Sequence, residues 1–355
     1  MAQSSAIHGV TFIVVLQLLA LTTSSPQTAY NSAKSNKRPH KSYSYYENWN
    51  YVKTDKEHNK PKWTYKDQMN WPRLFPTCAT RRQSPIDIQP KETVLAAFPN
   101  FVFHNYGHAN NMTMANNGHT VTINLPEDYP KHKLPHITGG GLNGTYNFAQ
   151  IHLHWGVDST LGSEHRIKSK SHPLELHIVH WNSKYGSFAQ ASMQAEDGLA
   201  VFSVLAEVGL GDSKSLMPIT DQVGEVTKNG DETVLRKPFS IQDVLPKQKS
   251  SYFRYFGSVT TPACHEIVTW TVFDNFIDIS EKQLAKLRNL KDEHGERLVN
   301  NFRTPQPLHD RTVYYRSFTG CEISRSLSDA TSMADVFKWT KCLMSYAFNS
   351  IFPSS

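Results

Sequence analysis

From Phe101 onward the chain alternates short runs rich in Val, Ile, Phe and Tyr with breaks of Gly, Pro and Asn. That is the pattern of a large β-sheet protein. It predicts strands over 120–125, 146–155, 174–182, 199–208 and 266–273. In the 146–155 run, period-two alternation puts Gln150, His152 and His154 on one face and Ile151, Leu153 and Trp155 on the other. In the 174–182 run, Glu175, His177 and Val179 share a face, with Leu174, Leu176 and Ile178 opposite. One helix is predicted, because Ser280-Glu281-Lys282-Gln283 is a capping-box pattern followed by Leu284, Leu287 and Leu290 at helical spacing. The chain has no internal repeat of roughly 20 to 50 residues, which excludes solenoids and propellers.

The ends differ from this body. Residues 1–25 begin polar, run through an apolar stretch from Val10 to Leu21 and finish in the small residues Thr22 to Ser25, as a secretory signal does. The apolar stretch is too short to span a bilayer, so no transmembrane segment is predicted. Residues 26–44 form a flexible basic lead, and residues 319–355 a tail whose weakly apolar end is interrupted by Lys338 and Lys341, which makes a poor lipid anchor.

Composition narrows the class. The 355 residues, 39% hydrophobic and 19% charged, suit one large globular domain and not a disordered chain. The net charge of +6 comes from scattered Lys and Arg, without the basic stripe that reads nucleic acid. The basic lead leaves association with an extracellular matrix open. Four cysteines, Cys78, Cys264, Cys321 and Cys342, make an even set that favours disulfides in an oxidising compartment, with three pairings open. The sequons at Asn111 and Asn143 fit an exported, glycosylated chain.

The chemistry lies in the two histidine-bearing strands. If they are neighbours, His177 joins His152 and His154 in a three-nitrogen cluster. Three histidines with no fourth protein ligand describe a catalytic zinc with one position open to water, since structural zinc sites are closed by four ligands. The missing thiolates and methionine argue against blue copper. Gln150 and Glu175, two residues before their histidines, are on the right faces to accept the remaining ring N–H groups. His180, on the face away from His177, reads as a hydrogen-bonded packing residue. No His-Glu-x-x-His is present, so a metalloprotease lacks its signature.

A longer series of segments surrounds these residues: Gln83-Ser84-Pro85-Ile86-Asp87-Ile88, Asn116-Asn117-Gly118-His119, Gln150 to Gly156, Gly162-Ser163-Glu164-His165, Glu175 to Asn182, Gly257 to Pro262, Val268-Thr269-Trp270 and Asn301-Phe302-Arg303. In this order they resemble the α-class carbonic anhydrases over about residues 45–318. The resemblance implies a single mainly β (α+β) domain over 45–318, built on a large twisted, mostly antiparallel sheet of about ten strands with a few short peripheral helices. It implies one zinc per chain, reversible hydration of carbon dioxide to bicarbonate and a proton, and carbon dioxide, bicarbonate and water as partners outside the cell.

Carried over by position, the resemblance makes His152, His154 and His177 the metal ligands, with Gln150 and Glu175 behind them. Thr260 would accept a hydrogen bond from the activated water and donate one to Glu164. His119 would shuttle protons along waters held by Tyr51, Asn117 and Thr122. Val179, Val201, Val259, Thr261 and Trp270 would line the substrate pocket. Cys78 and Cys264 match the pair bridged in secreted members, which leaves Cys321 and Cys342 to each other or to another chain. Val259 stands where many members have leucine, Thr122 where asparagine is common, and Ala263 where a second proline is frequent, but no ligand is lost. The competing reading is an extracellular matrix or biomineralisation protein of carbonic-anhydrase type, in which binding matters as much as catalysis; the chain lacks the acidic runs and Gly-Asn repeats used for mineral contact. Nothing in the sequence sets an oligomeric state.

Overall fold

The computed structural model describes residues 62–193 and 196–317. The signal, the lead, Tyr51, Cys321 and Cys342 lie outside the described residues. In chain order the strands are β1 (Asp87–Ile88), β2 (Val94–Leu95), β3 (Phe101–His104), β4 (Thr113–Asn116), β5 (Val121–Asn124), β6 (His136–Gly139), β7 (Tyr146–Trp155), β8 (Arg166–Ile167), β9 (Leu174–Asn182), β10 (Leu199–Val208), β11 (Glu232–Val234), β12 (Tyr252–Gly257), β13 (Val268–Phe273), β14 (Ile277–Ile279) and β15 (Tyr314–Arg316). Thirteen of them form one mixed sheet with the path β11-β4-β5-β7-β9-β10-β13-β12-β15-β2, flanked by β3, β6 and β14, while β1 and β8 pair separately. The count of about ten that the resemblance implies corresponds to that path, and β3, β6 and β14 are additional to it.

The long strands β7, β9 and β10 occupy the middle, covered on both faces, and β9 is buried at every position. One core gathers Ile151, Leu153, Trp155, Leu174, Leu176, Ile178 and Phe202, a second gathers Val179, Trp181, Val201 and Trp270, and a small third gathers Trp71, Phe75, Cys78 and Cys264. Strict alternation in β7 would put Tyr146 and Phe148 on the histidine face, yet both belong to the first core. The register between β7 and β9 slips between Phe148 and Gln150, so Ala149 is an inserted residue that exchanges the two faces of the strand. Beyond that bulge the pairing sets His152 opposite His177.

The predicted helix spans Glu281–Leu287, with the reciprocal Ser280 and Gln283 bonds of a capping box. Leu284 and Leu287 are buried, and Leu290 is buried just beyond the last turn. Among the described residues no helix is long and apolar enough to cross a membrane.

Candidate metal centre

The antiparallel pairing of β7 with β9 brings three imidazoles together at the centre of the sheet. His152 Nε2 and His154 Nε2 each lie 3.1 Å from His177 Nδ1. The proton positions follow from the outer contacts. His154 Nδ1 donates to the Asn301 carbonyl at 2.7 Å; a carbonyl only accepts, so Nε2 turns a lone pair inward. His177 Nε2 donates to Glu175 Oε1 at 2.6 Å. Burial would raise the Glu175 pKa, but the His165 and His177 rings hold it well below the usual carboxylate range. His177 Nδ1 therefore also presents a lone pair.

Two lone pairs 3.1 Å apart cannot hydrogen-bond. Protonation of the rings offers no escape, because burial above all lowers the pKa of all three, His154 to about 4. A cation among them removes the conflict, and the spacing is close to the edge of a tetrahedron, about 3.3 Å for nitrogens 2.0–2.1 Å from one ion. Among the described residues no further His, Cys, Asp or Glu joins these three as a fourth ligand. The second such group, His165 with Glu175 and His177, is held together by hydrogen bonds: Glu175 Oε1 accepts from His165 Nδ1, His177 Nε2 and Ser203 Oγ.

Glu164 faces the same centre. Its Oε1 accepts the Arg303 backbone N–H at 2.8 Å, while Oε2, 3.6 Å from His154 Nε2 and 3.9 Å from His177 Nδ1, is buried without a hydrogen bond of normal geometry. Burial pushes its pKa up to about 7; His177, the nearby Thr260 hydroxyl and the Arg303 N–H oppose that rise, and Glu175 adds to it. Thr260 lines a small recess of about 10 Å³ with Val179, Val201, Val259 and Trp270, next to His152 and His177. The Trp270 indole is fixed by a 3.0 Å bond to the Ser258 carbonyl, with its ring 4.8 Å from that of His177.

A cleft of about 210 Å³ leads from this centre past Gln150, Thr122, Thr261, Asn117 and His119. The Asn117 side chain caps the His119 turn by accepting His119 N–H and Thr120 N–H at 2.9 and 2.8 Å. Gly118 has φ +84°, a backbone state that a side chain would strain. The His119 ring stacks on Trp63, centroids 4.1 Å apart with planes at 12°. Burial lowers its pKa, Glu293 and Asp292 act to raise it, and His294 acts to lower it.

Comparison with known proteins places this geometry. The model of the eukaryotic-type carbonic anhydrases matches residues 66–317. The chain belongs to that family. It is 38% identical over 249 residues to human carbonic anhydrase 7, covering 69% of this chain and 92% of that protein. It is 36% identical over 269 residues to human carbonic anhydrase 12, covering 72% and 73%, and 36% identical over 261 residues to bovine carbonic anhydrase 6, covering 71% and 79%. The chain is thus an α-class carbonic anhydrase, an enzyme of carbon dioxide hydration.

Other sequence expectations take their places on this carbonic anhydrase. Cys78 and Cys264 are disulfide-bonded, with Cα atoms 5.0 Å apart. Cys264 N–H also donates to the Thr261 carbonyl at 2.8 Å, closing the loop that carries Thr260. Asn111 and Asn143 are exposed. His180 donates from Nδ1 to the Ala200 carbonyl at 3.0 Å and meets the Tyr106 hydroxyl at Nε2, on the face away from His177. Tyr51, expected on the proton path, lies outside the described residues; among the described residues Tyr65, beside Trp63, lines the cleft. Sequence reasoning missed both aromatics, although their i, i+2 spacing in Trp63-Thr64-Tyr65 was a usable sign of two rings facing the same way. It also missed the Asn301 carbonyl and the Arg303 N–H, because backbone partners leave no trace in residue type.

Proposed function

We propose that this carbonic anhydrase is a zinc enzyme working outside the cell, with His152 Nε2, His154 Nε2 and His177 Nδ1 holding one Zn²⁺ and Gln150 and Glu175 orienting the ligands. The observation that carries the reading is the meeting of inward lone pairs on neutral, buried imidazoles beside an unpartnered Glu164 oxygen. When bound, zinc supplies acidification of a coordinated water to a pKa of about 7, a value for which carbonic anhydrase is itself the reference case.

The residues of this chain do the rest. Arg303 N–H holds Glu164 Oε1, and the open Oε2 is the acceptor to which the Thr260 hydroxyl would turn its proton when the reacting water is in place. Thr260 Oγ then has only lone pairs to offer the reacting water, so it accepts from that water and aims it at the substrate carbon. Val179, Val201, Val259 and Trp270 exclude bulk water and give carbon dioxide an apolar seat, with Thr261 at its lip. His119 receives the released proton along waters bonded to Asn117, Thr122 and the Tyr65 hydroxyl. A histidine suits this work because its ordinary pKa, about 6.5, lies close to working pH.

Export is supported by the apolar run from Val10 to Leu21, the Cys78–Cys264 disulfide and the exposed sequon asparagines. On this reading residues 1–25 are removed as a signal, 26–44 are a lead, 45–318 the catalytic domain and 319–355 a tail whose Cys321 and Cys342 are left to each other or to another chain. Expression of the full chain in a secreting eukaryotic cell tests it. Zinc-dependent, sulphonamide-sensitive carbon dioxide hydration is expected in the medium, from a protein beginning near Pro26. Activity confined to the cells, with residues 1–25 retained, would refute export, and hydration insensitive to a zinc chelator would refute the metal.

A further inference from the structure

The turn Asp292–Glu296 lies beside the His119 turn, tied to it at its start through Asn116, and the chain five residues further on is tied there again through Asn301. Asn116 Nδ2 donates to the Lys291 carbonyl at 3.0 Å while its Oδ1 accepts Gly118 N–H at 2.8 Å. Asn301 Nδ2 donates to the His119 carbonyl at 3.1 Å. Within the turn, Asp292 Oδ1 accepts the backbone N–H groups of His294 and Glu296, each at 2.9 Å, which fixes the backbone that carries Glu293 and His294.

These two side chains form a graded pair. His294 Nε2 lies 3.4 Å from Glu293 Oε1, and exposure rises from 23% at the Glu293 side chain to 56% at His294. Both, with Asp292, act electrostatically on His119. The other charged groups here are Lys66, on the segment that leads from Trp63 and Tyr65, paired with Glu296 of the turn, and Lys291 and Arg297 at the base of the hairpin. Trp63 covers one face of the His119 ring, and the charged turn supplies the titratable groups for the onward step.

We propose that Glu293 and His294 are the outer station of the proton path, taking the proton that His119 carries and delivering it to solvent. The proposal rests on His119 acting as the shuttle. The His119 imidazolium gives its proton through water to the Glu293 carboxylate, leaving a neutral imidazole and a neutral acid. Glu293 passes it to neutral His294, which regains the charge and loses it to a buffer base. No oxidant, reductant or co-reactant is consumed.

The test is stopped-flow hydration by the zinc-loaded full-length enzyme in weak buffer, comparing wild type, His119→Ala and the double variant Glu293→Gln/His294→Gln. The double variant is expected to lose about threefold or more in kcat and not in kcat/KM, and to recover with added imidazole. Glu293→Asp in an otherwise native chain should retain most of the rate, as a purely structural role for the turn would not require. If His119→Ala is slow in weak buffer while the double variant matches wild type, the outer station is wrong and the shuttle stands. If His119→Ala also matches wild type, the shuttle assignment fails and takes this proposal with it.

Discussion

His177 does two things with one ring, and both depend on Glu175. The carboxylate accepts a hydrogen bond from Nε2–H, which leaves the Nδ1 lone pair facing His152 and His154, and it also holds His165 and Ser203. Partners of this kind set tautomer and ligand basicity, and losing one typically costs about 10–100-fold in metal affinity. Glu175→Gln is therefore expected to raise the zinc dissociation constant within that range, as read by competition with a chelator; an unchanged constant would show that the carboxylate does not orient the ring. Glu164 has a different task, since it touches the site without joining the three ligands. Glu164→Gln is expected to keep bound zinc while hydration falls by roughly 10²-fold or more, the scale of a lost positioned proton acceptor. Zinc loss in that variant would instead make Glu164 part of the metal binding.

The ligand strands could be read from sequence to the residue. The bounds 146–155, 174–182 and 199–208 agree with β7, β9 and β10 because these strands are long, apolar and punctuated by Gly, Pro and Asn. The face assignment agrees with the structure for His152 and His154, which lie past the bulge, and for His177 opposite them; extending the same alternation back to Tyr146 and Phe148 would misplace both. Nothing in Phe148-Ala149-Gln150 announces an inserted residue, since a bulge is set by the partner strand. Deleting Ala149 restores strict alternation and turns Tyr146 and Phe148 away from their core, so that variant is expected to be insoluble or molten by near-UV circular dichroism; a native spectrum would contradict the bulge. The helix start was legible because the capping box is a local pattern, and Ser280→Ala should destabilise the fold by about 1 kcal/mol in urea unfolding. No change in the midpoint would mean that the cap adds nothing. The short strands β2, β11, β14 and β15 were not legible, because two or three residues at a sheet margin carry no periodic signal.

For the whole molecule, two features control stability. The Cys78–Cys264 bond closes a loop with a sequence separation of 186 residues, and native disulfides of this kind typically contribute about 2–5 kcal/mol. The pair Cys78→Ser/Cys264→Ser should lower the denaturation midpoint accordingly, and an unshifted midpoint would deny the bond a stabilising role. The second feature is the set of buried, neutral histidines. In the metal-free protein, burial holds His180 at about 3 and His154 at about 4, against an ordinary value of 6.5. Between those limits the unfolded chain binds protons that the folded chain refuses, so unfolding takes up protons and stability rises with pH. Stability is complete above pH 6.5 and is lost as pH falls toward 3–4; urea midpoints should drop between about pH 7 and about pH 5, and a flat profile would contradict neutral burial.

All of this turns on three nitrogens from two paired strands sharing one ion. Zinc K-edge X-ray absorption on the full-length secreted protein measures that shell directly. The expected result is one zinc per chain with three imidazole nitrogens and one solvent oxygen at about 2.0–2.1 Å. A sulphur neighbour, a fourth protein ligand, or a chain that binds no zinc would contradict it.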